Sequence, residues 1–205
     1  MKRSGFTLIE LSIVLIIIGL IIGGVMKGKD LINSAEQKKI YNTWIKQWQV
    51  TANTYQDRTG GLLGDGKVNG GTKDDENGRC DNVKLYNTTT VQDQLKAIGL
   101  DEPVSNVAGT RGGAYSIKGK YVTNKANAYL YWLKSDTDDN YKNRLYITGM
   151  PTDVAIAFDK MTDGKIDPSA GAFRRYKDDA TGSDGTAQTW PDASTTATVS
   201  VSLEL

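Results

Sequence analysis

From Phe6 to Met26 the chain reads FTLIELSIVLIIIGLIIGGVM, a run that carries a single charge, Glu10. As a helix this segment is about 32 Å long, enough to cross the hydrocarbon of a bilayer. Met1-Lys2-Arg3-Ser4-Gly5 precedes it with two cations, and Lys27, Lys29 and Asp30 close it. A stretch this apolar cannot be left to water, so lipid or other protein must cover it. The mean hydropathy of the whole chain, −0.42, conceals it by averaging over a polar remainder.

Three readings of this start compete. A secretory signal peptide explains the basic residues, but the run exceeds the usual ~7–15 apolar residues and shows no small-x-small cleavage site before Lys27. A plain transmembrane anchor explains the length but not Glu10, because an acidic group at that depth is costly unless paired. Cleavage after Gly5 makes Phe6 a new N-terminus. Phe6 and Glu10 then share a helix face, four residues apart. Glu10 compensates a buried α-ammonium on Phe6, of its own chain or of the next subunit.

The residues Gly5-Phe6-Thr7-Leu8-Ile9-Glu10-Leu11, behind a short basic leader and ahead of Ser12-Ile13-Val14-Leu15-Ile16-Ile17-Ile18-Gly19, resemble the prepilin processing signature. That family comprises type IV pilins and the pseudopilins of type II secretion. The resemblance implies cleavage after Gly5 by a prepilin peptidase and methyltransferase, and N-methylation of Phe6. It also implies Glu10 as the assembly carboxylate. The partners it implies are an inner-membrane assembly platform, membrane lipid before assembly, and then a homo- or hetero-oligomeric pilin filament. The place it implies is the bacterial inner membrane as a single pass, followed by an extracellular or periplasmic filament. Loss of the leader removes Lys2 and Arg3 and takes the formal charge from +1 to −1. Lysines flank both ends of the run, so the orientation rests on the resemblance.

Within the run, Gly19, Gly23, Gly24 and Gly28 form two small-xxx-small patterns that allow close helix approach. The other reading is that they loosen the helix. Many major pilins also carry a proline here, and this chain has none before Pro103.

Composition narrows the chemistry. Histidine is absent, which removes His-dependent triads, proton shuttles and His-ligated metals. Cys80 is the one cysteine, so neither an intrachain disulfide nor a cysteine cluster forms. With 25 Lys and Arg against 24 Asp and Glu there is no direct nucleic-acid signal. No phosphate loop or activated nucleophile is visible, and we expect no enzyme.

The spacing of Ile40, Trp44, Trp48, Ala52 and Tyr55, with Tyr41 and Ile45 beside them, predicts an amphipathic continuation of the helix to Arg58, stopped by Gly60-Gly61. The expected organisation is a leader over 1–5, a membrane and assembly half over 6–29, an amphipathic half over 30–58, and a globular α+β head over 59–205. Residues 59–82 read as a loop, with Cys80 an incidental thiol or an intermolecular crosslink. Thr90 and Asp93 have capping-box spacing ahead of a short helix ended by Gly99. Ala114–Thr123, Asn127–Lys134 and Arg144–Gly149 read as strands, Thr152–Met161 as a helix, and Ala197–Leu205 as a half-buried strand. The expected fold is α+β: a pilin fold, with a long N-terminal helix packed on a C-terminal antiparallel sheet.

The stretch Ala157-Phe158-Asp159-Lys160-Met161-Thr162-Asp163-Gly164, with Gly171 and Arg174 after it, resembles a D-K-x-x-D-G segment of pilin-like proteins. Asp159, Asp163 and Asp167 are spaced like part of a calcium loop. Met161 and Ala170 stand where two further ligands belong, so a helix terminus is the other reading and no cofactor is otherwise expected. Three functions stay open: a pilin serving adhesion, motility or DNA uptake; a pseudopilin of type II secretion; and a binding module mounted on a helix.

Overall fold

A computed structural model describes residues 7–134, 141–176 and 189–205. The chain divides into two compact units, Met1–Lys39 and Ile40–Leu205.

In the first unit the described residues form helix α1 (Leu8–Ile40), which runs unbroken through Gly19, Gly23, Gly24 and Gly28. A Cβ added at any of these four glycines would meet nothing within 4 Å. The apolar side chains are bare: Leu8 is 88% exposed and Leu20 72%.

The second unit opens with a π-helical turn, Tyr41–Ile45, followed by α2 (Lys46–Thr59). Ile40, Trp44, Trp48, Ala52 and Tyr55 are all buried, as the spacing requires. Ile45, expected beside them, is buried as well and Tyr41 is half-buried; the π turn that carries both has no mark in the sequence. The Nε1–H groups of Trp44 and Trp48 both donate to the carbonyl of Gly112, at 2.7 and 3.0 Å. A side chain at Gly112 would collide with the Pro103 carbonyl, so only glycine allows this approach. Gly60, left-handed at φ 75°, caps α2 by donating to the Gln56 carbonyl.

One antiparallel sheet takes up the rest. Its strands are β1 (Val83–Lys84), β2 (Ala114–Lys118), β3 (Thr123–Lys134), β4 (Tyr141–Pro151), β5 (Phe173–Tyr176) and β6 (Thr198–Glu204). The order is β1-β3-β4-β6-β5, with β2 also on β3. Helix α3 (Thr90–Ala97) precedes β2, and α4 (Thr152–Asp163) follows β4. Ala128, Leu130, Leu145, Ile147, Val201, Leu203 and Phe173 share one core with the α2 stripe and with Val154, Ala155 and Phe158 of α4.

Three expectations need correction. The strand expected over Ala114–Thr123 ends at Lys118, where Gly119 N–H donates to the Val122 carbonyl and turns the chain into β3. The Thr90–Asp93 capping box does not form: Thr89 is the N-cap, and Thr90 Oγ1 donates to the Gly70 carbonyl instead. The last strand, expected to be half-buried, is buried on both faces: Ser200 and Ser202 are covered along with Val199, Val201 and Leu203, and β4 and β5 pair with its two edges.

The glycine-rich 60–82 stretch is irregular but built around two buried carboxylates. Asp65 accepts the N–H groups of Asn77 (3.1 Å) and Gly78 (2.7 Å). Asp81 Oδ2 accepts those of Gly66 (3.1 Å), Thr72 (3.0 Å) and Lys73 (2.9 Å). The carboxylates hold this long loop in a chain that has no disulfide to do so. Cys80 is buried, with its thiol 3.6 Å from the Leu63 carbonyl. Burial and the nearby Asp65 and Asp81 push its pKa up to about 12. A thiol so placed is unreactive, which counts against crosslinking.

Candidate processing and assembly site

Thr7 and Glu10 open the first described turn of α1. Glu10 Oε2 accepts both the backbone N–H and the Oγ1 hydroxyl of Thr7, each at 2.8 Å. Glu10 N–H in turn faces Thr7 Oγ1 at 3.3 Å. This is a capping box, which satisfies helix donors that the first turn leaves free. Its spacing, Thr-x-x-Glu, was legible in the sequence, and Thr7 is the site residue that sequence reasoning missed. Glu10 Oε1 carries no hydrogen bond among the described residues, so one oxygen is fixed by Thr7 and the other stays open to a cation. Gly5 and Phe6, the expected processing residues, lie outside the described residues.

Behind the capping box, one helix among the described residues is long and apolar enough to cross a membrane, and none of its apolar window is buried. The helix therefore presents a carboxylate near its start and aliphatic surface along its length. Such a surface inserts in lipid or packs against other such helices.

A model of the prokaryotic N-terminal methylation motif matches residues 1–26. The chain carries the prepilin signature of type IV pilins and pseudopilins. Gly5, Phe6, Thr7 and Glu10 all fall inside the match. The signature implies processing by a prepilin peptidase and assembly into a filament. Together with the apolar helix it fits an inner-membrane-anchored, pilin-like or pseudopilin subunit, and the fold of the second unit is consistent with a pilin head. No curated protein and no solved structure matches the chain.

Asp159 and Asp163 lie in the last turns of α4 and Asp167 in the loop after it, each accepting backbone N–H groups. Gly164, at φ 77°, ends α4. Asp163 accepts the N–H groups of Ala172 (2.9 Å) and Phe173 (3.0 Å), tying the loop to β5. A side chain at Gly171 would strike the Asp163 carboxylate. Asp167 Oδ1 accepts from Ser169 N (3.1 Å), Ser169 Oγ (2.8 Å) and Ala170 N (3.2 Å), and the Ser169 hydrogen bonds hold its pKa below the ordinary range. Asp159 is fully buried; its Oδ2 accepts Asp167 N–H (2.7 Å) and Trp190 Nε1–H (3.0 Å). Burial raises its pKa, outweighing those hydrogen bonds. Among the described residues no three His, Cys, Asp or Glu side chains are arranged to hold a metal. Asp163 and Asp167 clamp the loop between α4 and β5 through these hydrogen bonds.

Proposed function

We propose that this chain is a structural, non-enzymatic subunit of a type IV pilus-like filament. It is cleaved after Gly5, methylated on Phe6 and held in the inner membrane until assembly. Growth then moves the apolar helix from lipid into a bundle of like helices, and Glu10 meets the α-ammonium of a Phe6. The observation that carries this reading is the methylation motif laid over a bare apolar helix with one carboxylate. The capping box supports it, because a carboxylate held on one oxygen keeps the other for a partner. The proposal includes no cofactor; Asp159 Oδ2, Asp163 and Asp167 Oδ1 accept loop N–H groups, while Asp159 Oδ1 is buried without a hydrogen bond among the described residues.

A surface filament for adhesion, motility or DNA uptake is our first choice, on the strength of the long polar stretches between core elements. The motif is common to pseudopilins, so a periplasmic secretion filament is the second. Mass spectrometry of filaments sheared from cells tests the proposal: the N-terminus is Phe6 carrying one methyl group. Loss of residues up to Met26 would instead identify a signal peptide. Recovery of the unprocessed chain from the envelope alone would leave a plain anchor.

A further inference from the structure

We propose that the Ile40–Leu205 unit carries a head-to-tail contact surface for a second copy of this chain, the lysine-bearing β2–β3 hairpin tip of one copy docking on the acidic Asp75–Glu76 loop of the next. This rests on the filament reading above and supplies it with a head contact.

The hairpin tip presents Lys118, Lys120 and Lys125 within eight residues, all exposed and none in an ion pair among the described residues. It is well braced: Gly119 N–H donates to the Val122 carbonyl, and Asp153 Oδ2 accepts Lys120 N–H at 2.8 Å. The Asp153 carboxylate takes this backbone donor on Oδ2; among the described residues it forms no ion pair with the three lysines and keeps Oδ1 buried without a hydrogen bond.

The acidic loop is also held in shape, because Asp65 accepts the N–H groups of Asn77 and Gly78 directly after it. Its neighbouring lysines are already used. Lys67 pairs with Asp74 at 2.7 Å and Lys73 lies 3.7 Å from buried Asp81; Arg79 lies over the Trp132 ring at 5.4 Å, as Lys120 on the hairpin lies over Tyr121 at 5.1 Å, and neither ring contact neutralises the cation. Asp75 and Glu76 are left exposed without a cation among the described residues.

The two patches lie at opposite ends of β3. Lys118 pairs with Thr123 at its start. At the other end Asn143, paired with Trp132, takes Cys80 N–H on its Oδ1 (2.8 Å) and donates its Nδ2–H to the Gly78 carbonyl (3.0 Å). Nine residues of strand from Thr123 to Trp132 separate them by about 30 Å. Opposite charges held that far apart on one sheet cannot meet within a copy. A translation along β3 brings them together between copies. Such a heterologous contact does not close on itself and builds an open helix. Charge pairs of this kind set register and partner more than affinity, which suits an assembly whose burial comes from the apolar helix.

The test uses full-length chain in cells that assemble it. Lys120→Cys and Glu76→Cys in one chain should give an oxidation ladder of dimers and higher multimers in sheared filaments, with neither single variant doing so. Reversing Lys118, Lys120 and Lys125 to Glu should lower filament yield about tenfold, and so should Asp75→Lys with Glu76→Lys. Combining the two reversals should restore it. All these positions are exposed, so envelope levels should not change. Filaments without a ladder, at normal yield from both reversals, overturn the head contact and leave the filament reading intact. A native chain that is never processed or polymerised overturns the filament reading, and the contact falls with it.

Discussion

In the proposed assembly Glu10 gives its two oxygens to different tasks, Oε2 to Thr7 and Oε1 to an incoming ammonium, and single substitutions separate them. Glu10→Leu removes the one charge from the apolar run, so membrane insertion should stay intact or improve. Filament yield should fall about tenfold or more, since an incoming ammonium is left without its carboxylate. Thr7→Val keeps the backbone donor and loses only the hydroxyl, so its defect should be milder. Immunoblots of membranes and of sheared filaments read both effects; normal yield from Glu10→Leu would sink the pairing mechanism. The carboxylate was legible because a lone acid in an aliphatic run needs a reason. The fate of Asp159, Asp163 and Asp167 was not, since spacing alone cannot tell a metal ligand from an acceptor of loop N–H groups. Asp159 also makes a pH prediction. Its folded pKa lies above the unfolded value of about 3.9, so the folded state retains the proton longer. The resulting stabilisation is complete below the unfolded value and is lost as pH rises through the folded one. Asp159→Asn abolishes that titration, so its stability relative to the native chain should rise from acid to neutral pH. Thermal melts over a pH series decide it, and a constant difference would refute the assignment.

Helix α2 and its π turn show how far periodicity reaches. Ile40, Trp44, Trp48, Ala52 and Tyr55 could be placed on one face from the sequence, because burial of a stripe on a sheet is a local pattern. The π turn itself could not, since no apolar spacing marks it; Trp44 on it and Trp48 just after it converge on the distant Gly112 carbonyl. The same limit applies to β6, whose alternation suggested one wet face although Ser200 and Ser202 are buried with the valines. Short β1 and β5 carry too few residues to announce themselves. The shared Gly112 carbonyl gives a prediction at this scale. Trp44→Phe or Trp48→Phe alone leaves one indole donor in place and should cost about 1 kcal/mol. The double variant strands the carbonyl in the core and should cost more than the two singles added together. Denaturant midpoints of the four proteins measure this coupling; strict additivity would mean that one indole bond is idle.

At the scale of the molecule, burial follows the division into units. The core residues, from Ile40 through Trp44 and Phe158 to Leu203, fall within Ile40–Leu205. The long aliphatic side chains from Leu8 to Ile32 are exposed instead, with Leu8 at 88% and Leu31 at 74%. An apolar patch of that extent marks a surface made for lipid or for partners. Folding of the second unit should therefore not depend on the first. Deleting residues 1–30 should give a protein that stays in solution, sediments as a monomer and unfolds in one cooperative step. The charged ends of the head do not contradict this. Exposed ion pairs are worth little singly and are screened at ordinary salt, so they act only once the helices have raised the local concentration of heads. Analytical ultracentrifugation of the truncated chain at low and high salt checks both points. A monomer throughout is the expected result. Oligomers that persist at high salt would show that the head itself buries apolar surface against its copies, and assembly would then not rest on the helix bundle alone.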